Sequence, residues 1–289
     1  MSRVLDRLGA HGARYRDPVA AIDWRAADDG LPWLPMDLLS IDGLDIAGRL
    51  SAEQLKRFSE IEFARLCAAG MWLEGLLISR VTAKGYLGLN TDEARIMLQE
   101  VREESGHSLM FLEMIARAGL KDVPLLGATG LLTRVAGRLD PAGPAFWAMV
   151  YIGETVTDTF GLKALKRARE PGQDICPVAR QVLELHHRDE ARHIAAARTL
   201  LASRIGQMTG ARRLAFTTSL RFLLNRFLDA TLYPTAASLA ALGLDDPKGV
   251  AAAVKASPAR RRLAQACAQP ALDMLRRDGM LPASTEAAP

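Results

Sequence analysis

Apolar residues recur at three- and four-residue intervals along most of the chain, and the strict alternation of a strand is nearly absent. From Ser51 onward, Phe63, Cys67, Gly70, Leu73, Leu77, Ile78 and Val81 keep helical spacing, which predicts a helix running to about Tyr86. Ser51 followed by Gln54 has the Ser-x-x-Gln form of a capping box. "GLN" at 88–90 breaks the chain, and Thr91-Asp92 opens a second helix expected to end at Gly119. A Gly- and Pro-punctuated connection follows, with one or two short helices around 123–140. "PAFWAMVYIGETVTDTFGLKALKRARE" reads as a third long helix stopped by Pro171-Gly172, and "DICPVARQVLELHHRDEARHIAAARTLLASRIG" as a fourth. Two more helices are expected over 209–230 and 248–278, separated by "YP" and "LDDP". Residues 1–50, with Pro18, Pro32 and Pro35, read as an irregular arm that packs Trp24 and Trp33 onto the body. The expected class is all-α: an arm (1–50) on a helical body (51–289), whose core bundle spans 51–206 and whose extra C-terminal helices span 207–289.

A bundle interior should be apolar, so carboxylates on its inward faces need a reason. Glu154 is surrounded by apolar, small or hydroxyl-bearing neighbours, and a lone buried carboxylate would stay protonated unless paired or coordinated. The plainer alternative is a glutamate on a narrow exposed stripe. Glu104 with His107, and Glu190 with His193, each place a carboxylate and an imidazole on one helix face, since each residue turns by about 100°. One Glu-x-x-His is weak evidence, but two on separate helices of a bundle match carboxylate-bridged dimetal sites, which add one Glu from each remaining helix.

Register supplies those two. The first two helices turn near residue 89, so Glu104, about fifteen residues beyond, is level with Glu74 on the apolar stripe. Helices three and four turn near residue 172, which sets Glu154 level with Glu190. Glu60 and Glu62 lie about 18 Å or more along the axis, too far to share a metal. In "LELHHRDEARH", with Glu190 at zero, His193 falls near about −60°, His186 near about −40° and His187 near about +60°. His186 is therefore read as a third imidazole donor, with a satisfied buried histidine beside the site as the alternative. His187 is expected to bond elsewhere. Glu100 and Asp158, one turn from Glu104 and Glu154, either back a ligand histidine or face solvent. Tyr151 is read as core. Arg221, Asn225 and Asp229 form either a surface network along one helix or a clamp for a substrate carboxylate.

Four carboxylates and three imidazoles favour iron or manganese over the thiolate-rich sets of structural zinc. No GxGxxG or GxxxxGK[ST] pattern supplies a redox nucleotide or phosphate site, so electrons must come from outside. Composition adds only bounds. The 289 residues are 49 % hydrophobic and 24 % charged with net charge +4, and basic runs such as Arg260-Arg261-Arg262 suit solvated helix faces, so no nucleic-acid partner is expected. Cys67, Cys176 and Cys267 are isolated, which suits a reducing compartment. No apolar leader or stretch near about 20 apolar residues is present, so a cytoplasmic protein without membrane partners is expected.

The set Glu74, Glu104 with His107, Glu154, and His186 with Glu190 and His193 resembles the p-aminobenzoate N-oxygenase family, non-haem diiron arylamine oxygenases with a ferritin-like bundle. The extra histidine separates that family from ordinary ferritins, rubrerythrins and bacterial multicomponent hydroxylases. The "LPWLPMDLLSIDG" arm also suits it, and the motif resemblance spans roughly 51–206. The resemblance implies a ferritin-like four-helix bundle with flanking helices, two iron ions and O2 as co-substrate. It implies a monooxygenase that takes an aromatic amine to hydroxylamine and towards nitro, through a peroxo-diferric species. An external donor (a reductase or ferredoxin) and a homodimer are expected. A diiron C-hydroxylase or desaturase, and a ferritin-like iron-storage protein, stand as alternatives.

Overall fold

The computed structural model describes residues 15–27, 30–85, 91–126, 130–206, 208 and 210–281; the expected helix end at Tyr86 and the break at 88–90 lie outside them. Among the described residues every regular element is helical. A single turn, α1 (Pro18–Ala21), precedes the long helices α2 (Ala52–Arg80) and α3 (Thr91–Arg117), a short α4 (Gly130–Ala136), and the second long pair α5 (Pro144–Arg167) and α6 (Pro177–Ile205). Then come α7 (Gly210–Leu232), α8 (Ala236–Ala240), α9 (Pro247–Ala256) and α10 (Pro258–Arg277).

Local chemistry sets the boundaries. Ser51 accepts from the Gln54 amide at 3.2 Å while the Gln54 side chain accepts from the Ser51 amide at 2.9 Å, closing the expected capping box on α2. Beyond Arg80 the chain continues as a π-helical turn, Val81–Gly85. Gly119, at φ +66°, ends α3 in a Schellman motif: its amide bonds Ala116 O and that of Leu120 bonds Ile115 O. Pro144 and Pro177 occupy the first turns of α5 and α6, where a missing N–H costs nothing. The single helix expected over 248–278 is two. Pro258 disfavours helical geometry at Ser257, which takes ψ 121° and caps α10 by accepting from the Arg260 amide.

Helices α2 and α3 form one antiparallel hairpin and α5 and α6 another, and the two hairpins pack as a four-helix bundle. Helices α7 and α10 lie against α5, which explains its apolar character on every side: Phe146, Trp147, Tyr151 and Phe160 are all buried. The arm is stitched to both hairpins through Trp33 N to Ser59 Oγ (3.0 Å), Ser40 N to Glu62 Oε2 (2.8 Å) and Met36 N to Gln173 Oε1 (3.0 Å). Trp33 meets Phe63 edge-on at 5.8 Å, and Trp24 packs under the Arg117 guanidinium. Buried Arg260 donates to Leu232 O and Leu38 O, joining α10 to α7 and the arm. Buried Arg65 does the same for α2, donating to the carbonyls of Leu125, Ala230 and Tyr233. No helix among the described residues is long and apolar enough to cross a membrane.

Candidate metal centre

At mid-height of the bundle seven side chains converge: Glu74 from α2, Glu104 and His107 from α3, Glu154 from α5, and His186, Glu190 and His193 from α6. They form three overlapping sets, each with its donor atoms within 4.8 Å of one another: Glu104, His107, Glu190 and His193; Glu74, His107 and His186; Glu154, His186 and Glu190. The shared members His107, His186 and Glu190 tie the sets into one cluster. Nδ1 of His107 lies 3.2 Å from Glu104 and 3.5 Å from Glu190, and Nδ1 of His193 lies 3.0 Å from Glu104 and 3.4 Å from Glu190. Nε2 of His186 is 3.2 Å from Glu190 Oε1. Gly153 lets α2 and α5 approach here. A Cβ at that position would run into the Leu73 side chain, and Leu73 and Gly153 directly precede Glu74 and Glu154.

The outward nitrogens are held by carboxylates that the helical-face argument did not select. His107 Nε2 sits 3.4 Å from Asp189 Oδ2, and His193 Nε2 sits 3.2 Å from Glu103 Oε2. The acid preceding each Glu-x-x-His thus reaches the histidine of the other motif. Such partners fix ring orientation and tautomer. A signal was present: "REESGH" at 102–107 and "RDEARH" at 188–193 share Arg-acid-Glu-x-x-His. Arg192 pairs with Glu103, Glu100 lies 3.6 Å from His193 Nε2, and Ser108 donates to Glu74 Oε2 at 2.5 Å.

The donor chemistry fits cations. Glu74 Oε1, Glu104 Oε1, Glu154 Oε1, both carboxylate oxygens of Glu190 and His193 Nδ1 are buried without a hydrogen bond of proper geometry, an expensive arrangement for four carboxylates unless something positive joins them. Protonation shows the same demand. Burial, reinforced by the neighbouring Glu104 charge, pushes Glu74 well above the carboxylate range, and burial with the Glu190 charge does so for Glu154. Burial also raises Glu104, yet the His193 and His107 charges outweigh it and leave Glu104 far below its ordinary value. Burial alone would lower His107, but hydrogen bonds to Asp189 and Glu104 lift it to about 10. His193 is lifted in the same way by Glu100, Glu104 and Glu190 against its burial. His186 differs: burial brings it down to about 4, so it offers a neutral ring with a free lone pair.

His186 also lines a narrow pocket with Phe63, Leu66, Cys67, Gly70 and Phe111 on one side and Thr157, Asp158, Gly161, Val182 and Leu183 on the other. A second, more polar pocket lies outside His107, lined by Tyr15, Arg16, Glu103, Arg188, Asp189 and Arg192.

All seven residues read from the sequence as donors are therefore brought together, and Glu60 and Glu62 are not among them. Glu60 pairs with Lys56 and Arg57 on the surface of α2, and Glu62 serves the arm. His187 turns away and bonds Asp158 at 2.6 Å, so Asp158 does not back a member of the cluster, whereas Glu100 does face His193. Tyr151 is in the core. Asn225 and Asp229 line an outer groove, with Asp229 paired to Lys255, and belong to no clamp at the centre.

The family model for the p-aminobenzoate N-oxygenase AurF matches residues 1–279. Proteins of Mycobacterium bovis and Mycobacterium tuberculosis, both described as uncharacterized, are 30 % identical over 230 residues, covering 73 % of this chain. The chain spans 64 % of the length of those relatives. Among solved structures, two variants of an R2-like ligand-binding oxidase with an aerobically reconstituted Mn/Fe cofactor align at TM-scores of 0.52 and 0.51 with 13 % identity. The alignments cover 96 % of this chain and 92 % and 93 % of theirs, which establishes the ferritin-like bundle.

Proposed function

Because the chain belongs to the p-aminobenzoate N-oxygenase family, we propose that it is a dimetal oxygenase that uses O2 to oxidise the nitrogen of an aromatic amine. The observation that carries this reading is the placement of His186. It adds a third, neutral imidazole to two Glu-x-x-His units and two further glutamates, and it faces an apolar pocket.

Glu74, Glu104, His107, Glu154, His186, Glu190 and His193 would hold two iron ions, whose charge offsets four glutamates. When bound and reduced, the metal pair supplies O2 activation and the oxidising equivalents. The chain's own groups do the rest. Asp189 and Glu103 orient His107 and His193 from behind, and Ser108 fixes the Glu74 carboxylate. Phe63, Leu66, Phe111, Val182 and Leu183 give the pocket an apolar lining, which shields a reactive oxidant from water and suits an aromatic ring. Electrons come from an external reductase or ferredoxin, and the working form is a cytoplasmic homodimer.

The test is to load the protein with Fe(II), reduce it, expose it to O2 with a panel of arylamines and identify products by mass spectrometry. Hydroxylamine, nitroso or nitro products support the reading. Hydroxylated or desaturated carbon products with untouched amines would replace it with the C-oxidation alternative, and assembly into a large iron-filled shell would replace it with storage. A mixed Mn/Fe pair is a second reading of the metal, supported by the all-O/N donor set and by the cofactor of the R2-like oxidases. Elemental analysis after growth on both metals separates the two.

A further inference from the structure

We propose that the amine taken by this centre carries no anionic group: the substrate is an uncharged arylamine, and an aminobenzoate-type acid is discriminated against. This rests on the oxygenase reading above and goes beyond it by naming the substrate class.

The inference comes from which of the two flanking pockets can serve the reaction and from what lines it. The polar pocket outside His107 contains arginines, but two of them are engaged, Arg188 with Asp189 and Arg192 with Glu103. Asp189 closes the outward nitrogen of His107, while the donor nitrogen Nδ1 points the other way, towards Glu104 and Glu190. A molecule in that pocket is therefore behind the ring and not at the metals. The pocket beside His186 opens directly onto a cluster member.

Among the described residues, none of the eleven that line that pocket is a lysine or arginine. Thr157 is committed to its own helix, donating to Gly153 O or Glu154 O, and Asp158 already accepts from His187. What remains is apolar surface, the Cys67 thiol, the His186 ring and one carboxylate. A substrate carboxylate placed here loses its water and gains no lysine or arginine partner, while a neutral hydrogen-bond donor could reach the second Asp158 oxygen. The free space is only about 20 Å³ as the side chains stand, so a ring must push some of them aside. Phe111 packs over Gly70, and that close fit leaves even less tolerance for a hydrated, charged substituent. Asn225 and Asp229 of α7, where a carboxylate clamp was conceivable from the sequence, line an outer groove and do not reach this pocket.

The experiment uses a matched pair, 4-aminobenzamide and 4-aminobenzoate. Binding to the metal-free protein is measured by titration calorimetry, and kcat/KM is measured with the iron-loaded protein. The amide is expected to bind at least 10-fold tighter than the acid, with a similar ratio in kcat/KM. Equal or tighter binding of the acid, or no detectable preference for the amide, overturns the proposal. An amide that binds preferentially but is not oxidised at nitrogen leaves the specificity standing and removes the N-oxygenase reading, so the two failures are separable. Leu66→Arg provides the converse. Leu66 lines the pocket and is half-buried, so an arginine there can keep its head at the mouth. The variant should bind the acid at least 10-fold better than the parent does, and a folded variant with no such gain counts against the proposal.

Discussion

Asp189 of the second hairpin holds the outward nitrogen of His107 in the first, with Oδ2 and Nε2 3.4 Å apart. Glu103 returns the contact to His193 at 3.2 Å. Each imidazole is thus aimed by the opposite motif, and the aim should be measurable. Asp189→Asn and Glu103→Gln are expected to keep the fold while weakening metal binding by about 10–100-fold, the usual effect of losing such a partner. Competition titration with a chelator reads it, and unchanged affinity in both variants would show that the pairings do not matter.

The adjacent histidines of α6 provide a comparison in which only helical phase differs. His186 is 3.2 Å from Glu190, whereas His187 bonds Asp158 at 2.6 Å and is 40 % exposed. His186→Ala should change the iron spectrum and cut turnover by about 100-fold or more, a loss at least equal to that of an outer partner. His187→Ala should leave the spectrum intact and cost about 1 kcal/mol of stability at most, the typical worth of one exposed hydrogen bond. Equal spectral defects in the two variants would mean that the ligand face is wrongly assigned.

Glu62 tests buried carboxylates as a class. It is as buried as the cluster, but it accepts from the Ser40 amide and faces Arg260 at 4.0 Å. Glu62→Ala should therefore retain two metals per chain while losing about 1–3 kcal/mol in chemical denaturation, from the orphaned Ser40 amide and the lost facing charge of Arg260. Glu104→Ala and Glu190→Ala should lose most of the metal. Metal loss in the Glu62 variant would contradict the separation.

Metal and pH should act in opposition. His107, lifted from its ordinary 6.5 to about 10, gives the metal-free protein stability that is fully present below pH 6.5 and lost as pH rises through about 10. His193, Glu74 and Glu154 are raised too and act in the same direction, while His186, lowered to about 4, contributes stability that is lost as pH falls from 6.5 through 4. Raised groups dominate above pH 6.5, so the metal-free Tm should fall from pH 6.5 to 9. Metal must displace those protons, so the rise in Tm on adding Fe(II) or Mn(II) should grow over the same range. A metal-induced shift that shrinks with pH would contradict the assignment of these groups as ligands.

The bundle was legible because the breaks in helical pattern near residues 89 and 172 set the register of two long hairpins, which is why Glu74 and Glu154 could be placed by counting from them. Phase then separated His186 from His187. The outer carboxylates were missed because Glu103 and Asp189 sit off the inward stripe of their own helices and act across the hairpin boundary, which no single helical wheel displays. Asp158 was misjudged in part for the same reason: its partner, His187, is on another helix. The division of the last helix at Ser257 was available from Pro258, but an apolar period continuing past it masked the break.

Glu74, Glu104 and His107 belong to the first half of the chain, and Glu154, His186, Glu190 and His193 to the second. A growing polypeptide exposes these groups in that order, and the earlier hairpin can pair long before the later one is synthesised. Alone, it offers two of the four cluster carboxylates and one of its three imidazoles. On the proposed reading, cation choice would be deferred to the moment the halves dock, so the finished bundle would decide the metal and not whichever ion meets the nascent chain first.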